Sequence, residues 1–219
     1  MKTEKSKTSV VRILLADDHT LFREGLKKIL SATPDLVVAG EAAMGNEVLR
    51  KVQKDSYDVV VLDIAMPDKH GLDVLKELRR RCPDLPVLML SMYPEEQYGL
   101  RVLKAGAAGY LTKGSAPAEL IAAIRRVACG RKYVGDSLAE KLASELTRDL
   151  SGPLHKQLSD REYQIMYMLA GGTRVRDIAD KLCLSSTTVS TYRARIFEKM
   201  GMKTNSELTR YAMENELIG

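Results

Sequence analysis

Three carboxylates, a hydroxyl and an ammonium, spread from position 17 to position 113 of a 219-residue chain, could together handle a phosphoryl group. Asp17-Asp18, Asp63, Ser91 and Thr112-Lys113 each follow or end a short apolar run. Carboxylates brought together repel, so such a cluster favours a hard divalent cation such as Mg²⁺, which takes oxygen ligands and keeps several waters. The cation would neutralise an incoming phosphoryl group and leave Asp63 free to attack as a nucleophile. Ser91 can hydrogen-bond one phosphoryl oxygen, and Lys113 can pair with another as a compact charge. Singly, each residue has an ordinary explanation: helix-start acids, a turn residue before Met66-Pro67, a strand-end serine and lysine. The chemistry rests on their falling at the ends of four different predicted strands.

Those strands are predicted at 10–16, 36–40, 59–62, 87–90 and 107–111, separated by helix-period segments at about 20–32, 45–54, 70–81, 95–105 and 117–130. The strands read as continuous Val, Leu and Ile rather than in/out alternation, as in a parallel sheet covered on both faces. Five strands alternating with five helices predict a doubly wound α/β domain of flavodoxin-like order 2-1-3-4-5, a (βα)5 unit. The carboxyl ends of its strands then share one edge, with the first and third flanking the switch point.

The pattern changes beyond Ala128. A polar connection leads to Asp136 and Ser137, then Leu138, Leu142 and Leu146 at helical spacing, with Ser137 and Glu140 as a capping box. Ser151-Gly152-Pro153 ends this linker helix. No strand pattern follows. Helices are predicted at about 160–170, 175–182, 187–200 and 205–214, two of them opened by the capping boxes Ser159/Glu162 and Thr204/Glu207. The expected division is 10–131, a linker at 132–156, and an all-α four-helix domain at 157–219.

The segment 175–200 has helix-turn-helix spacing. Val189, Tyr192, Ile196 and Met200 form an apolar stripe, while Thr187, Ser190, Thr191 and Ala194 face away with Arg193 and Arg195 on the flanks. Such a helix fits a major groove, and its hydroxyls and guanidinium groups suit phosphates and base edges. An ordinary packed bundle has the same spacing.

Composition excludes several classes. No apolar stretch is long enough to span a membrane, and Met1–Ser9 carries three lysines without the apolar run of a secretory leader. Cys82, Cys129 and Cys183 are odd in number and unclustered, which excludes a disulfide framework, fits a reducing cytosol and reads as small buried side chains. His19, His70 and His155 are scattered and read as surface or turn residues. The net charge of +5 divides as +5 over 1–135, −2 over 136–155 and +2 over 156–219, so bulk charge does not single out a nucleic-acid face. No GxxxxGK[ST] or GxGxxG occurs. A phosphatase of the haloacid-dehalogenase type would need a second aspartate two residues after Asp63, where Ala65 stands.

LLADDH (14–19), VVVLDIAMP (59–67), LMLSM (88–92) and GAAGYLTKG (106–114) resemble the receiver domain of two-component response regulators over about residues 10–130. LSDREYQIMYMLAGG (158–172), IADKLCLS (178–185) and TTVSTYRARIFEKMGM (187–202) resemble the LuxR-type helix-turn-helix, and the combination is that of the NarL/FixJ family. The resemblance implies that Asp63 is the phosphoacceptor. It implies a Mg²⁺ site of Asp17, Asp18, Asp63 and the Ala65 backbone carbonyl, with Ser91, Tyr110 and Lys113 sensing phosphorylation. Met92 is bulkier than the family's usual residue beside that serine, which predicts slow phosphoryl loss. Gly114 stands where many receivers have proline. The expected DNA contacts are Thr187, Thr188, Ser190, Thr191, Arg193, Arg195 and Lys199. Thr187, Ser190 and Tyr192 depart from the usual lysines or asparagine and histidine. The last helix, around Leu208 and Tyr211, is implicated in dimerisation.

The resulting expectation is a cytoplasmic, non-enzymatic transcription regulator, nucleoid-associated when bound to DNA and with no membrane contact. Its partners would be a sensor histidine kinase, double-stranded DNA and, on activation, a second copy of itself. A constitutive DNA-binding protein with the receiver as a dimerisation scaffold is the alternative.

Overall fold

The computed structural model describes residues 10–135, 138–140, 142 and 153–218. The chain divides into two compact units, one ending at Ala139 and the other starting at Glu140.

The first unit alternates β1 (Val11–Ala16), α1 (Thr20–Ser31), β2 (Leu36–Ala42), α2 (Gly45–Lys54), β3 (Val59–Asp63), α3 (Gly71–Arg81), β4 (Val87–Ser91), α4 (Glu95–Lys104), β5 (Gly109–Thr112) and α5 (Pro117–Ala128). All strands are parallel, in the order β2-β1-β3-β4-β5. The unbroken apolar runs follow from cover on both faces. Ile13, Leu15, Val59, Val61, Leu88 and Leu90 pack with Leu26 and Leu30 of α1 and with Leu120, Ile124 and Val127 of α5. Their neighbours of opposite parity, Leu14, Val60, Leu62 and Met89, are equally buried. The aspartate, serine and threonine ending β3, β4 and β5 therefore emerge at one edge of a rigid sheet.

Two boundaries are shorter than the periodicity predicts. α5 ends at Ala128, because Gly130 turns the chain with φ 74°. β5 begins at Gly109, after Ala107 and Ala108. In the predicted linker helix, Leu138–Glu140 and Leu142 are helical and Leu138 is buried. Asp136, Ser137, Leu146, Ser151 and Gly152 lie outside the described residues.

The second unit is helical: a 3₁₀ turn (Leu154–Gln157), then α6 (Asp160–Ala170), α7 (Val175–Lys181), α8 (Ser186–Met200) and α9 (Asn205–Glu214). α6 buries Tyr163, Ile165, Met166, Met168 and Leu169, so it is the central helix against which the others close. Its capping box is complete: Ser159 Oγ accepts the Glu162 N–H at 3.3 Å, and a Glu162 carboxylate oxygen accepts the Ser159 N–H at 2.8 Å. At α9, Thr204 Oγ1 accepts the Glu207 N–H at 3.2 Å, and the Glu207 carboxylate accepts the Lys203 N–H at 2.8 Å. Among the described residues no helix is long and apolar enough to cross a membrane.

The cysteines differ from their reading as buried side chains. Cys129 and Cys183 are exposed and Cys82 is half-buried, since each lies at a helix end rather than on an apolar face.

Candidate functional site

The end of β1 delivers Asp17 and Asp18, the end of β3 delivers Asp63, and the turn after β5 delivers Lys113. Asp17 and Asp63 are nearly fully buried. Lys113, whose side chain is 4% exposed, places Nζ 2.6 Å from Asp17 Oδ2 and 2.8 Å from Asp63 Oδ2. The Phe22 ring of α1 lies 4.8 Å from the same ammonium. Gly71 opens α3 against the Asp63 backbone, donating its N–H to the Ile64 carbonyl at 2.9 Å; a Cβ at position 71 would collide with the Asp63 carbonyl.

Burial pushes the Asp63 carboxyl above the usual carboxylate range. The Lys113 charge opposes that rise, and the neighbouring Asp17 adds to it. Lys113 is raised in turn: burial alone would lower it, and the two carboxylates outweigh burial. Lys113 thus holds its proton firmly between two buried carboxyl groups.

The residues present fit a divalent cation. Ligand atoms of Asp17, Asp18, His19 and Asp63 all lie within 4.8 Å of one another. Asp18 Oδ1 is buried, with a ring nitrogen of the neighbouring His19 beside it. Oxygen donors of this number and charge suit a hard ion. His19 was missed by the sequence reading. Its ring is 61% exposed, but Nδ1 lies 2.8 Å from Asp18 Oδ1, and its backbone N–H donates to Asp17 Oδ1 at 2.8 Å. Its position directly after two acids at a strand end was the available sign. Of the other two histidines, His155 lies in the 3₁₀ turn, in keeping with a turn reading, and only His70 differs from it. His70 is buried, and its Nδ1 accepts the Leu72 N–H at 3.3 Å as the N-cap of α3. His155 Nδ1 lies 3.0 Å from the Tyr211 hydroxyl.

Ser91 and Tyr110 are buried beside this cluster. Ser91 Oγ accepts the Tyr93 N–H at 3.2 Å, and the Tyr110 hydroxyl donates to the Tyr93 carbonyl at 2.7 Å. Burial holds the Tyr110 phenol strongly protonated. Ala65 meets Asp63 through its backbone N–H, which stabilises the carboxylate. Met92 stands out in solvent, 75% exposed, on the rim of a cleft of about 590 Å³ that it shares with His19, Leu21, Phe22 and Lys113.

In the second unit, α7 turns through Leu182 to Leu184, with Cys183 in the left-handed region at φ 51°, into α8. Ser185 caps α8 by accepting the Thr188 N–H at 3.0 Å, and its hydroxyl also meets the Thr188 hydroxyl at 2.8 Å. Val189, Ile196 and Met200 are buried and Tyr192 is half-buried. Thr187, Ser190, Thr191, Ala194 and Arg195 line the exposed face. Arg193 is half-buried: Nε donates to Asn205 Oδ1 at 3.1 Å, and its guanidinium sits 5.0 Å over the Phe197 ring.

Two residues expected at interfaces also take part in this unit's own packing. Lys199 Nζ donates to Glu162 at 2.6 Å, which ties α8 to the cap of α6. Leu208 is completely buried and belongs to the core. Tyr211 is half-buried, and its hydroxyl accepts the His155 N–H at 3.2 Å. The sequence interval of 37 residues between Glu162 and Lys199 hides their pairing from any periodicity argument.

Residues 13–125 match the response regulator receiver domain, and residues 156–212 match the bacterial regulatory proteins of the luxR family. The chain is 39% identical over 210 residues to the response regulator GacA of Pseudomonas viridiflava, covering 95% of this chain and 98% of that one. It is 36% identical over 209 residues to the response regulator UvrY of Escherichia coli K12, covering 95% and 96%. RcsB from Salmonella enterica serovar Typhimurium, solved on promoter rprA with the phosphomimetic BeF3⁻, shares the architecture with a TM-score of 0.61 and 26% identity over 93% of this chain and 98% of that one. With both signatures in one chain and such relatives along nearly its whole length, this protein belongs to the NarL/FixJ family of two-component response regulators, with a LuxR-type DNA-binding domain.

Proposed function

We propose that Asp63 accepts a phosphoryl group from a phosphohistidine of a sensor kinase and that this state favours DNA binding by paired copies of the chain. The observation that carries the reading is the buried Asp63, ion-paired to Lys113 and backed by Asp17 and Asp18. An Asp63 carboxylate oxygen attacks phosphorus, and the phosphorus–nitrogen bond breaks with its electron pair returning to the donor imidazole. An acyl phosphate remains on Asp63. Asp17, Asp18, Asp63 and the Ala65 carbonyl would hold a Mg²⁺ ion, which supplies charge neutralisation for the phosphoryl oxygens. Lys113 then exchanges part of its hold on Asp63 for a phosphoryl oxygen. Ser91 hydrogen-bonds another, and Tyr110 follows through Tyr93, whose N–H is bound by Ser91 and whose carbonyl is bound by Tyr110.

On the DNA side, we assign the exposed Thr187, Ser190 and Thr191 to base edges of the major groove and the exposed Arg195 to a phosphate on its wall. Arg193, steadied by Asn205 and Phe197, reaches the backbone phosphates. Thr188 keeps the helix start in register. With Leu208 in the core, the pairing face of α9 would comprise its exposed side chains, Arg210 and Met213. The second unit carries little net charge, so one copy binds weakly, and two held together gain from effective concentration.

The test uses the full chain and a small-molecule phosphodonor. Intact mass should show one phosphoryl group in the wild type, none in Asp63→Asn, and none in chelator. Labelled operator DNA should then bind the phosphorylated chain more tightly. Undiminished labelling of Asp63→Asn would overturn the assignment, and equal DNA affinity in both states would favour the scaffold reading.

A further inference from the structure

Asp17 and Asp18 lie between two elements rather than in one. β1 ends at Ala16 and α1 begins at Thr20, so the turn at 17–19 is held by individual bonds. The Asp17 N–H donates to the Ala42 carbonyl at the end of β2, 3.0 Å away, and the His19 N–H donates to Asp17 Oδ1 at 2.8 Å. The Asp17 carbonyl belongs to the planar peptide group that joins the two acids. Its direction is set by the torsions on either side, and the same torsions aim the two carboxylates.

Arg23, in the first turn of α1, holds that carbonyl. Its Nη1 donates to the Asp17 carbonyl oxygen at 2.6 Å, and its Nε donates to Glu41 Oε2 at 3.1 Å. Glu41 stands on β2 opposite Leu15 of β1, and its other oxygen lies 2.7 Å from Lys27 Nζ. Lys27, and then Arg23, hold the Glu41 carboxyl below the usual carboxylate range against the effect of burial. An ordinary surface ion pair stands in solvent, whereas the Arg23 side chain is 13% exposed. The planar guanidinium, a fork of fixed donors, is thus anchored on the sheet and fixes the peptide between the two acids.

A cation beside a cation site can act in two opposite ways. Through space its charge repels a divalent ion, so losing it would tighten binding. Through the turn it keeps the acids in place, so losing it would loosen binding. Mg²⁺ demands near-ideal octahedral geometry, whereas Ca²⁺ accepts irregular oxygen cages. Loss of placement should therefore fall mainly on Mg²⁺.

We propose that Arg23, anchored on Glu41, is a positioning residue that holds Asp17 and Asp18 in the arrangement Mg²⁺ requires. This rests on the Mg²⁺ reading of the acidic site proposed above, and it adds a device by which the chain favours the smaller ion.

Titrations of the ¹⁵N-labelled full chain with Mg²⁺ and with Ca²⁺, read at the amides of residues 17–19 and 63–65, test it, with urea stability measured alongside. Arg23→Met should weaken Mg²⁺ binding about tenfold and Ca²⁺ binding by less than about threefold. Lys27→Met removes an equal charge from Glu41 without touching Asp17, and it should leave Mg²⁺ binding within about twofold of wild type. In metal-free Arg23→Met the His19 amide should exchange with deuterium about tenfold faster than in wild type. Tighter binding of both ions would reduce Arg23 to a nearby charge and overturn the proposal. Unchanged binding overturns it too, as does an equal loss for both ions, which assigns Arg23 to the stability of the fold alone. If the wild type binds neither ion, the Mg²⁺ reading itself fails, and the His19 amide then decides for Arg23: an unchanged exchange rate overturns its hold on the turn, and a faster one sustains it.

Discussion

The receiver's acidic site and the outer face of α8 both use charged and polar groups, but they are specified in opposite ways. Asp17, Asp63 and Lys113 are buried, and each is another's partner at 2.6–2.8 Å. Thr187, Ser190, Thr191 and Arg195 stand in solvent, where their energetic role waits for a ligand. The buried site should therefore respond to mutation as a unit even in the absence of any ligand. The exposed face should respond residue by residue, and only when DNA is present.

The largest effect should come from removing the central charge of the buried set. Lys113→Met leaves two carboxylates facing each other without a counter-charge, and it should cost about 3–5 kcal/mol in metal-free protein. Adding Asp63→Asn should recover much of that loss. Arg195→Ala, by contrast, should change stability by no more than about 0.5 kcal/mol. Urea denaturation of the three variants checks this, and a loss under about 1 kcal/mol for Lys113→Met would dissolve the contrast.

The same contrast can be sharpened within the DNA-binding domain, because Glu162 is a buried charge there. Glu162→Gln breaks the ion pair to Lys199 and weakens the cap of α6, at a cost of about 1–2 kcal/mol near neutral pH. Burial alone would raise the Glu162 carboxyl, but the bonds from Lys199 and Ser159 lower it below its ordinary value of 4.5. A carboxylate depressed in the folded state contributes stability that is complete above its unfolded pKa and lost as pH falls through the folded one. The stability gap between wild type and Glu162→Gln should thus be full at neutral pH and close on acidification below 4.5. Thermal denaturation across that range measures it; a gap independent of pH would mean the pair contributes no charge.

DNA separates two cations of α8 that the sequence alone treats alike. Arg195→Ala should weaken operator binding several-fold and reduce the salt slope by about 0.9, the share of one phosphate contact. Lys199→Ala should instead lower stability and leave the salt slope unchanged, because its ammonium is engaged with Glu162. Titrations at several salt concentrations distinguish them.

What the sequence made legible follows the same division. β3 and β4 are five-residue strands buried throughout, four apolar residues followed by Asp63 or Ser91, so near-continuous Val and Leu announced both the strands and their two-sided cover. Parallel topology then forced Asp63, Ser91 and Lys113 to one edge, and chemistry followed from residue type. Illegible were pairings set by distant packing. The pairing of Lys199 with Glu162 was hidden because the two lie on different helices. Leu208 looked like an interface residue because a family pattern does not state which residues of α9 point inward. The segment around Tyr133 read as a polar connection, since its anchors are backbone carbonyls of Ala107 and Ala108 and the acids Glu95 and Glu119, none of which leaves a period in the sequence.

The smallest expected effect lies at the rim where the two kinds of environment meet. Met92 follows Ser91, and its bulk predicts slow phosphoryl loss by hindering the in-line approach of water. The side chain, however, is 75% exposed and packs loosely beside a cleft with His19, Phe22 and Lys113. A group so placed obstructs only while its rotamers happen to cover the opening, and rotamers of an exposed methionine interchange within nanoseconds. Met92→Ala should therefore speed dephosphorylation by only about threefold, the equivalent of roughly 0.7 kcal/mol in the barrier. Following the decay of the intact phosphorylated mass in wild type and variant decides the matter. An increase of tenfold or more, about 1.4 kcal/mol, would place Met92 inside the water-excluding wall of the buried site, and an unchanged or slower rate would remove it from the reaction altogether.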